Sequence, residues 1–557
     1  MYNPKKWLMR KTLLSIAFAL FGAMAVNAQY VSDPTVNTKV MESIINYGND
    51  AVVSKDGILY SVQQVPNHDD DGTKRLAYNL QILDKNGNRL FPDGGVTICN
   101  EENLSYTVVN DVLYADNDGN CLVMVSDCRN SPKDSRYRSY TIYKYGPDGK
   151  MLWDSGVNMA DDIFGRDNAL LNVTQVADGG YVFAYESFNE ETNCSYVRIE
   201  KITSDGKKAW SNPVELKDSK TPYSCPFVVD AGDSQFMLIY AKSSNKYIMA
   251  QLYDFDGTPL WDEELKVYVG GFDSTPLYTK LKVFKAPEGA FVTWSDDRYA
   301  ENVFSNYISY VKRDGTLAFP GGTNALKISY ANDFSRKVPM LVYNDADKCV
   351  YAIYRQYDQG MQTYCGIYMQ KIGLDGELKW GPEGKPIVAM QNDRYVGYAT
   401  VQNATGSDIA VFYQTNKNSG GDVKTYVMKM DKDGNNLWEN AVEPCTVVSE
   451  KNDLLSSSLI DDKYWILTWG DMRISPDYLS YGMYAQRVNV DGTLGNVGTG
   501  IDNASVASGA DDDVAVYGID GCFVKNGKKS DCVSGLRSGI YIVKDKVTGT
   551  TAKMTVK

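Results

Sequence analysis

The chain has 557 residues, 23% charged and 43% hydrophobic, with 47 Gly, 40 Tyr, 10 Cys and one His. Seventy acidic against 57 basic residues leave a net charge of −13, which lacks the basic face a general nucleic-acid binder needs. The one imidazole, His68, cannot build a two-histidine metal site, and with no Gly-x-Ser-x-Gly elbow in the chain a Ser-His-Asp triad is disfavoured too.

Residues 1–28 read as a secretory signal. Lys5, Lys6, Arg10 and Lys11 form its charged start, Leu13 to Val26 its apolar core, and Val26-Asn27-Ala28 a small-residue cleavage site. That core is short for an ordinary transmembrane helix, and no later run reaches about 18 uncharged apolar residues. The residue directly after the cleavage point is Gln29, not a cysteine, so a soluble exported protein beginning near Gln29 is expected, without a lipid anchor.

From residue 29 to about 500 one phrase recurs. Lys85-Asn86-Gly87 leads to Phe91, Pro147-Asp148-Gly149 to Trp153, Ser204-Asp205-Gly206 to Trp210, and Phe255-Asp256-Gly257 to Trp261. Arg313-Asp314-Gly315 then leads to Phe319, Leu374-Asp375-Gly376 to Trp380, Lys432-Asp433-Gly434 to Trp438, and Val490-Asp491-Gly492 to Asn496. The glycines stand 51 to 62 residues apart, and seven of the eight copies carry an aromatic four residues after the glycine. Before each phrase lies a nearly continuous apolar strand, such as Tyr181 to Tyr185 or Trp465 to Trp469, of the kind covered on both faces. Asp-Gly suits a tight hairpin turn because both residues tolerate positive φ. The pattern predicts an all-β fold: an eight-bladed β-propeller of four-stranded antiparallel blades, followed by a small C-terminal β-sandwich. An array of separate sandwiches is the competing fold, and the near-constant period with almost no linker speaks against it. The aromatic of each phrase is expected between blades.

A four-strand meander puts the first-to-second and third-to-fourth turns at one end. The long second-to-third loops then form the variable face, where binding is expected: 64–75, 127–138, 187–194, 242–246, 296–305, 355–364, 414–424 and 470–481. Two of these loops begin alike, Trp294-Ser295-Asp296-Asp297-Arg298 and Trp469-Gly470-Asp471-Met472-Arg473, with a weaker copy ending at Arg129. Each Arg either grips a ligand carboxylate through its planar fork or pairs with the Asp to tether its own loop. Tyr299, Tyr357, Tyr364 and Tyr478 are candidates for stacking on sugars. The candidate ligand-binding set is thus Arg129, Asp296, Arg298, Tyr299, Tyr357, Asp471, Arg473 and Tyr478.

These repeats resemble those of secreted bacterial propellers of unassigned function, an architecture that implies no reaction. Sialidase Asp boxes place a residue between Asp and Gly, and this chain does not. Quinoprotein propellers typically carry a vicinal disulfide, and no Cys-Cys pair occurs. No cofactor is expected. Calcium is weighed at Asp69 to Asp71, Asp116 to Asn120 and Asp511 to Asp513, none of which completes a twelve-residue loop with a terminal Glu. Cys349 with Cys365, and Cys522 with Cys532 around Asn526-Gly527, are possible cross-strand disulfides; the alternative is that they are small buried residues.

After about residue 500 the repeat stops. Residues 501–513 read as a linker, and 514–557 as a small domain of short strands. Val516 and Tyr517 with Gly521, the phrase Leu536-x-x-Gly539-Ile540-Tyr541, and a basic last strand ending at Lys557 resemble the C-terminal sorting domain of the type IX (Por) secretion system of Gram-negative bacteria. That resemblance implies export across the outer membrane, with the translocon and its sorting peptidase as partners and the cell surface or medium as destination. A small accessory domain that stays on the protein is the alternative. The function expected is binding of a glycan or protein through the variable-loop face. A propeller glycosidase or polysaccharide lyase, with carboxylates drawn from different loops, and a structural or adhesion role are the alternatives.

Overall fold

The computed structural model describes residues 29–496 apart from 43–47, 67–75, 101–112, 128–136, 165–170, 244–245, 271–280, 300–302, 331–333, 337–338, 359–361, 418–420 and 475–480. In the tail it describes 513–518, 522–533, 536, 539–546 and 551–556. His68, Arg129, Tyr478, Gly521 and Lys557, the proposed signal and most of the three acidic runs except 116–120 lie outside the described residues. The chain divides into two compact units, one up to Gly495 and one from Asn496.

The first unit is a β-propeller. Among the described residues it holds eight antiparallel sheets in succession, over 48–99, 113–164, 171–216, 223–269, 282–327, 335–391, 395–430 and 451–489. Most have four strands; the sixth has five and the seventh three. The eighth takes its fourth strand from the other end of the chain: Thr38–Met41 pairs antiparallel with Gly482–Asn489, Thr38 opposite Ala485. First strands of most successive sheets adjoin, and Gly48–Val53 adjoins Lys451–Ser456 where the two ends of the series meet.

The apolar runs occupy the second strand of each sheet. Gly289–Asp296, Cys349–Tyr357 and Tyr464–Asp471 are buried along their whole lengths. Each is covered on both faces because neighbouring sheets stack face to face. One core cluster accordingly joins Met237 and Ile239 of the fourth sheet to Val292 and Trp294 of the fifth. Burial of such side chains is worth about 1.5–3 kcal/mol each, so every sheet depends on its neighbours for its core.

The recurrent phrase forms the third-to-fourth turn, but by a different route from the one expected. Gly87 N–H donates to Asp84 O at 2.8 Å and Asp84 N–H to Asn88 O at 2.9 Å, with Gly87 at φ +89°. This is a type I turn closed by a glycine bulge, and it repeats at every copy from Gly149 to Gly492. Only the glycine takes positive φ; the Asp before it does not. A three-residue loop of this kind needs one left-handed residue where a two-residue type I′ turn needs two.

The glycine has a second task. A Cβ on Gly206 would lie 2.6 Å from the ring of Trp153, and one on Gly149 would lie 2.5 Å from Phe91. Trp153 Nε1–H donates to Ser204 O at 3.0 Å, Trp210 to Phe255 O at 3.0 Å, and Trp261 to Arg313 O at 2.9 Å. The aromatic of one sheet therefore seats on the Asp-Gly turn of the next and bonds to its backbone, which is the inter-blade role expected of it.

The cysteine pairing needs correction. Antiparallel register sets Cys349 opposite Gly373 and Cys365 opposite Tyr357. The two thiols therefore stand eight positions apart along the hairpin, about 26 Å at ~3.3 Å per residue, far beyond disulfide reach. Both are free and buried. Asn526 and Gly527 lie inside strand Phe523–Lys528, not at a turn, and Cys532 is a free, buried thiol in the short helix Lys529–Val533. It packs with Val514, Val516 and Val543, so it makes no bridge to Cys522.

The second unit carries one four-stranded antiparallel sheet, its order Phe523–Lys528, Asp513–Gly518, Gly539–Asp545, Thr551–Val556. A single sheet with the helix Lys529–Val533, not the two layers of a sandwich, is what the described tail residues form. Val516 sits in its core, with Leu536 and Tyr541 packed against it.

Candidate functional site

Sheet register delivers the two Trp-x-Asp-x-Arg phrases to the same place in the fifth and eighth sheets, the end of the second strand. Alternation sends Trp294 and Asp296 to one face, where Trp294 Nε1–H donates to Asp296 Oδ2 at 2.9 Å. Arg298 closes a fork on the same carboxylate, Nε to Oδ1 at 2.7 Å and Nη2 to Oδ2 at 2.5 Å. Its Nη1 donates to Asn324 O at 2.9 Å, and its plane lies 3.8 Å from the Tyr307 ring centroid. In the eighth sheet Trp469 donates to Asp471 at 3.0 Å and Arg473 to Asp471 at 2.6 Å. Arg473 also reaches Val36 O at 3.1 Å and Asn37 Oδ1 at 3.0 Å. Burial presses the Asp471 carboxyl upward, but Arg473 outweighs it and holds the group below the usual carboxylate range. Of the two roles weighed for these arginines, the bonds made here are those of the tether.

The tether nevertheless shapes a site. Beside Arg298 a cavity of about 610 Å³ is walled by Tyr299, Ser305, Tyr307, Asn324, Lys327 and Tyr330, with smaller residues between them. Its volume falls within the ~300–1,000 Å³ of small-ligand sites. Tyr299 is 73% exposed and Tyr330 49%. Lys327 Nζ stands 5.4 Å from the Tyr299 ring centroid and 5.6 Å from that of Tyr330. Burial first, then the positive charges of Arg336 and Arg298, hold the Lys327 ammonium below the ordinary lysine range, with Asp296 opposing. The register places Lys327 opposite Tyr307, so the outer strand and the variable loop meet around the cavity.

The predicted residues therefore separate. Asp296, Arg298 and Tyr299 come together at this cavity. Asp471 and Arg473 lie in the eighth sheet, at the strand that arrives from the N-terminus. Tyr357 is buried in the sixth sheet, with the Arg355 guanidinium 4.8 Å from its ring centroid and 4.0 Å from that of Tyr395. Tyr364 is partly exposed and packs on Phe334. Lys327 and Tyr330 were not foreseen, because the outer strand Leu326–Lys327 is two residues long and offers no periodic signal.

A second group sits at the meeting of the first and eighth sheets. Asp50 and Asp453 lie on the adjoining first strands. Burial pushes the Asp50 carboxyl up to about 7, against hydrogen bonds from the Leu113 and Ala51 amides, and the Asp453 charge adds to the rise. Burial raises Asp453 as well. Elsewhere, the Asp116 carboxylate is taken up by Tyr181, Asn120 and Lys144. Among the described residues no group of three or more His, Cys, Asp or Glu is placed to hold a metal ion, and no helix is long and apolar enough to cross a membrane.

No family model matches the chain, and no curated protein matches it. Among solved structures it is similar to an α-L-arabinanase of Penicillium chrysogenum, at 11% identity and TM-score 0.33 over 58% of this chain and 94% of that one. It is also similar to the polysaccharide lyase Uly1, at 11% and 0.40 over 73% and 93%. The β-propeller domain of the Trilobed protease from Pyrococcus furiosus matches at 11% and 0.36, over 73% of this chain and the whole of that domain. At these identities the likenesses carry no activity across.

Proposed function

We propose that this protein is an exported, eight-bladed β-propeller that binds a glycan at the cavity beside Arg298, and that residues 514–557 are its type IX sorting signal. One observation carries the binding role: two exposed tyrosines have their ring centroids 5.4 and 5.6 Å from one lysine ammonium at the wall of a preformed cavity. Exposed aromatic faces bury apolar area against the C–H face of a sugar ring while the hydroxyl end stays wet. The eight-blade reading is supported by the strand exchange between Thr38–Met41 and Gly482–Asn489. The sorting role is supported by the separate tail unit with Val516 in its core. Binding of the purified protein and of Tyr299→Ala and Tyr330→Ala variants to a glycan array, with product analysis alongside, tests the first claim. Each variant is expected to lose at least tenfold in affinity; undiminished binding by both would remove the cavity from the function. Deleting 514–557 is expected to trap the protein in the periplasm, and unchanged surface display would refute the sorting role.

A second reading has its own observation. Asp50, held near neutrality beside another carboxylate, has the character of a general acid paired with a base. It makes the protein a glycosidase acting where the first and eighth sheets meet. Product release from any glycan, abolished by Asp50→Asn, would establish that reading over simple binding.

A further inference from the structure

We propose that the cavity beside Arg298 holds a hexopyranose by one of its hydroxyl groups, and that Ser305, backed by Tyr307, is the pair that reads it. This rests on the glycan-binding reading above and narrows it to one edge of the ligand.

Ser305 and Tyr307 stand two positions apart on the third strand of the fifth sheet, Ser305–Lys312, and so share a face. Both line the cavity. They are 6% and 1% exposed against 73% and 49% for Tyr299 and Tyr330, which puts the hydroxyls at the inner end and the two rings at the mouth. The Tyr307 hydroxyl is buried with no hydrogen-bond partner. Among the described residues the Ser305 hydroxyl has no protein hydrogen bond either. It lies near enough to act on the Tyr307 phenol without closing a bond to it. Burial first, then the Asp296 charge, lifts that phenol above the ordinary tyrosine range against the pull of Arg298. It therefore keeps its proton, and both hydroxyls can donate and accept.

The eighth sheet supplies the comparison. It carries the same phrase in the same register: Trp469 stands opposite Tyr484 and Asp471 opposite Gly482, as Trp294 stands opposite Tyr307 and Asp296 opposite Ser305. The Arg473 plane lies 3.9 Å from the Tyr484 ring centroid, as that of Arg298 lies 3.8 Å from the Tyr307 centroid. There the Tyr484 hydroxyl donates to Glu42 Oε1, and Gly482 brings no hydroxyl. Where the motif tethers the N-terminal segment, its tyrosine is satisfied by the protein. Where it borders a cavity, the tyrosine is left open and a serine stands beside it.

Leaving a covered hydroxyl without a partner is costly. Ser305 meets the ligand, and its second bond turns to Tyr307. A sugar hydroxyl arriving there replaces water with an equivalent donor and acceptor, whereas a deoxy carbon strips the pair and returns nothing. Stacking on Tyr299 or Tyr330 is indifferent to that change, so the discrimination belongs to the hydroxyl pair.

Titration calorimetry on the full chain tests this with the methyl glycosides of glucose, galactose and mannose, followed by the monodeoxy analogues of the tightest of them. One monodeoxy analogue is expected to bind at least about tenfold more weakly than its parent. Ser305→Ala is expected to weaken the parent and shrink that gap to less than about twofold. Tyr307→Phe is expected to weaken the parent too, with a thermal midpoint unchanged or raised, because it removes a buried hydroxyl that no protein group satisfies. Tyr484→Phe, which removes a satisfied hydroxyl, is expected to lower the midpoint and leave binding alone. Monodeoxy analogues that all bind like the parent, or a gap that survives in Ser305→Ala, would overturn the hydroxyl reading and leave glycan binding standing. A lowered midpoint with unchanged binding in Tyr307→Phe would remove Tyr307 from the pair. Failure of all three methyl glycosides, in a chain that binds on the glycan array, would overturn the hexose assignment alone. No binding on the array would overturn both readings.

Discussion

Tyr30 lies against Gly87. A Cβ on that glycine would stand 2.6 Å from the Tyr30 backbone nitrogen and 3.0 Å from its ring, and Tyr30 N–H donates to Asn86 O at 2.9 Å. Gly87 is the first of the eight Asp-Gly-type turns, and the seat on it belongs by pattern to the aromatic of the preceding repeat. The last repeat has Asn496 in that position. A tyrosine from the other end of the chain takes the missing ring's place.

Tyr30→Ala is therefore expected to cost about 3–5 kcal/mol, the range for emptying a buried aromatic site, read as a lower urea midpoint. Tyr30→Phe is expected to cost under ~1 kcal/mol, because the Tyr30 hydroxyl is buried with no protein partner. Equal losses from both would mean that the hydroxyl, not the ring, holds the closure.

Gly206→Ala introduces a Cβ into the ring of Trp153 at a position whose φ is +83°. Overpacking and backbone strain act together there, and a loss of about 2–4 kcal/mol is expected. Trp153→Phe keeps most of the packing and loses the bond to Ser204 O, for about 1–2 kcal/mol. Thermal unfolding of the two variants should rank them in that order.

Asp471→Ala leaves the Arg473 guanidinium buried without its carboxylate, a change that typically costs about 3–5 kcal/mol. Arg473 also holds Val36 and Asn37, so limited proteolysis should cut near residue 36 in this variant first. The corresponding Asp296→Ala should spare that segment and weaken ligand binding at the cavity instead.

Asp50 gives a pH dependence of defined sign. Its folded value of about 7 lies above the unfolded value near 3.9, so the folded state holds the proton more tightly. That contribution is fully present below about pH 4 and is lost as pH rises through 7. Asp50→Asn keeps a neutral acceptor for the Leu113 and Ala51 amides, and is expected to stabilise the protein at pH 8 by on the order of 4 kcal/mol, with little effect at pH 4. A fixed difference at both values would show that ionisation of Asp50 plays no part.

Most of the propeller was legible because its signal is redundant. Each sheet repeats one apolar strand and one glycine turn, so an error in one copy is corrected by the others. The turn type was not legible: Asp-Gly fits two hairpin geometries, and only loop length in three dimensions separates them. Cys349 and Cys365 misled because separation in sequence says nothing of register, and the hairpin sets Cys365 opposite Tyr357 and Cys349 opposite Gly373. At the cavity, Arg298 and Tyr299 stood out through a repeated phrase. Lys327 and Tyr330 are ordinary residues in sequence, made neighbours of that phrase by an outer strand too short to announce itself. The closing strand Thr38–Met41 carries no sign of its partner, because the repeat begins after it.

That strand exchange also orders events in time. Thr38 and Ala485 pair across 447 positions of sequence, a loop whose closure alone costs on the order of 5 kcal/mol of entropy. A chain emerging N-terminus first, from a ribosome or a membrane pore, presents this strand at the outset and its partner nearly last. Throughout that interval the edge of Thr38–Met41 waits unpaired, and seven sheets can stack before the eighth is complete. Until the two ends meet, the core that joins Val40, Met41 and Leu59 to Ile466 and Met483 cannot form.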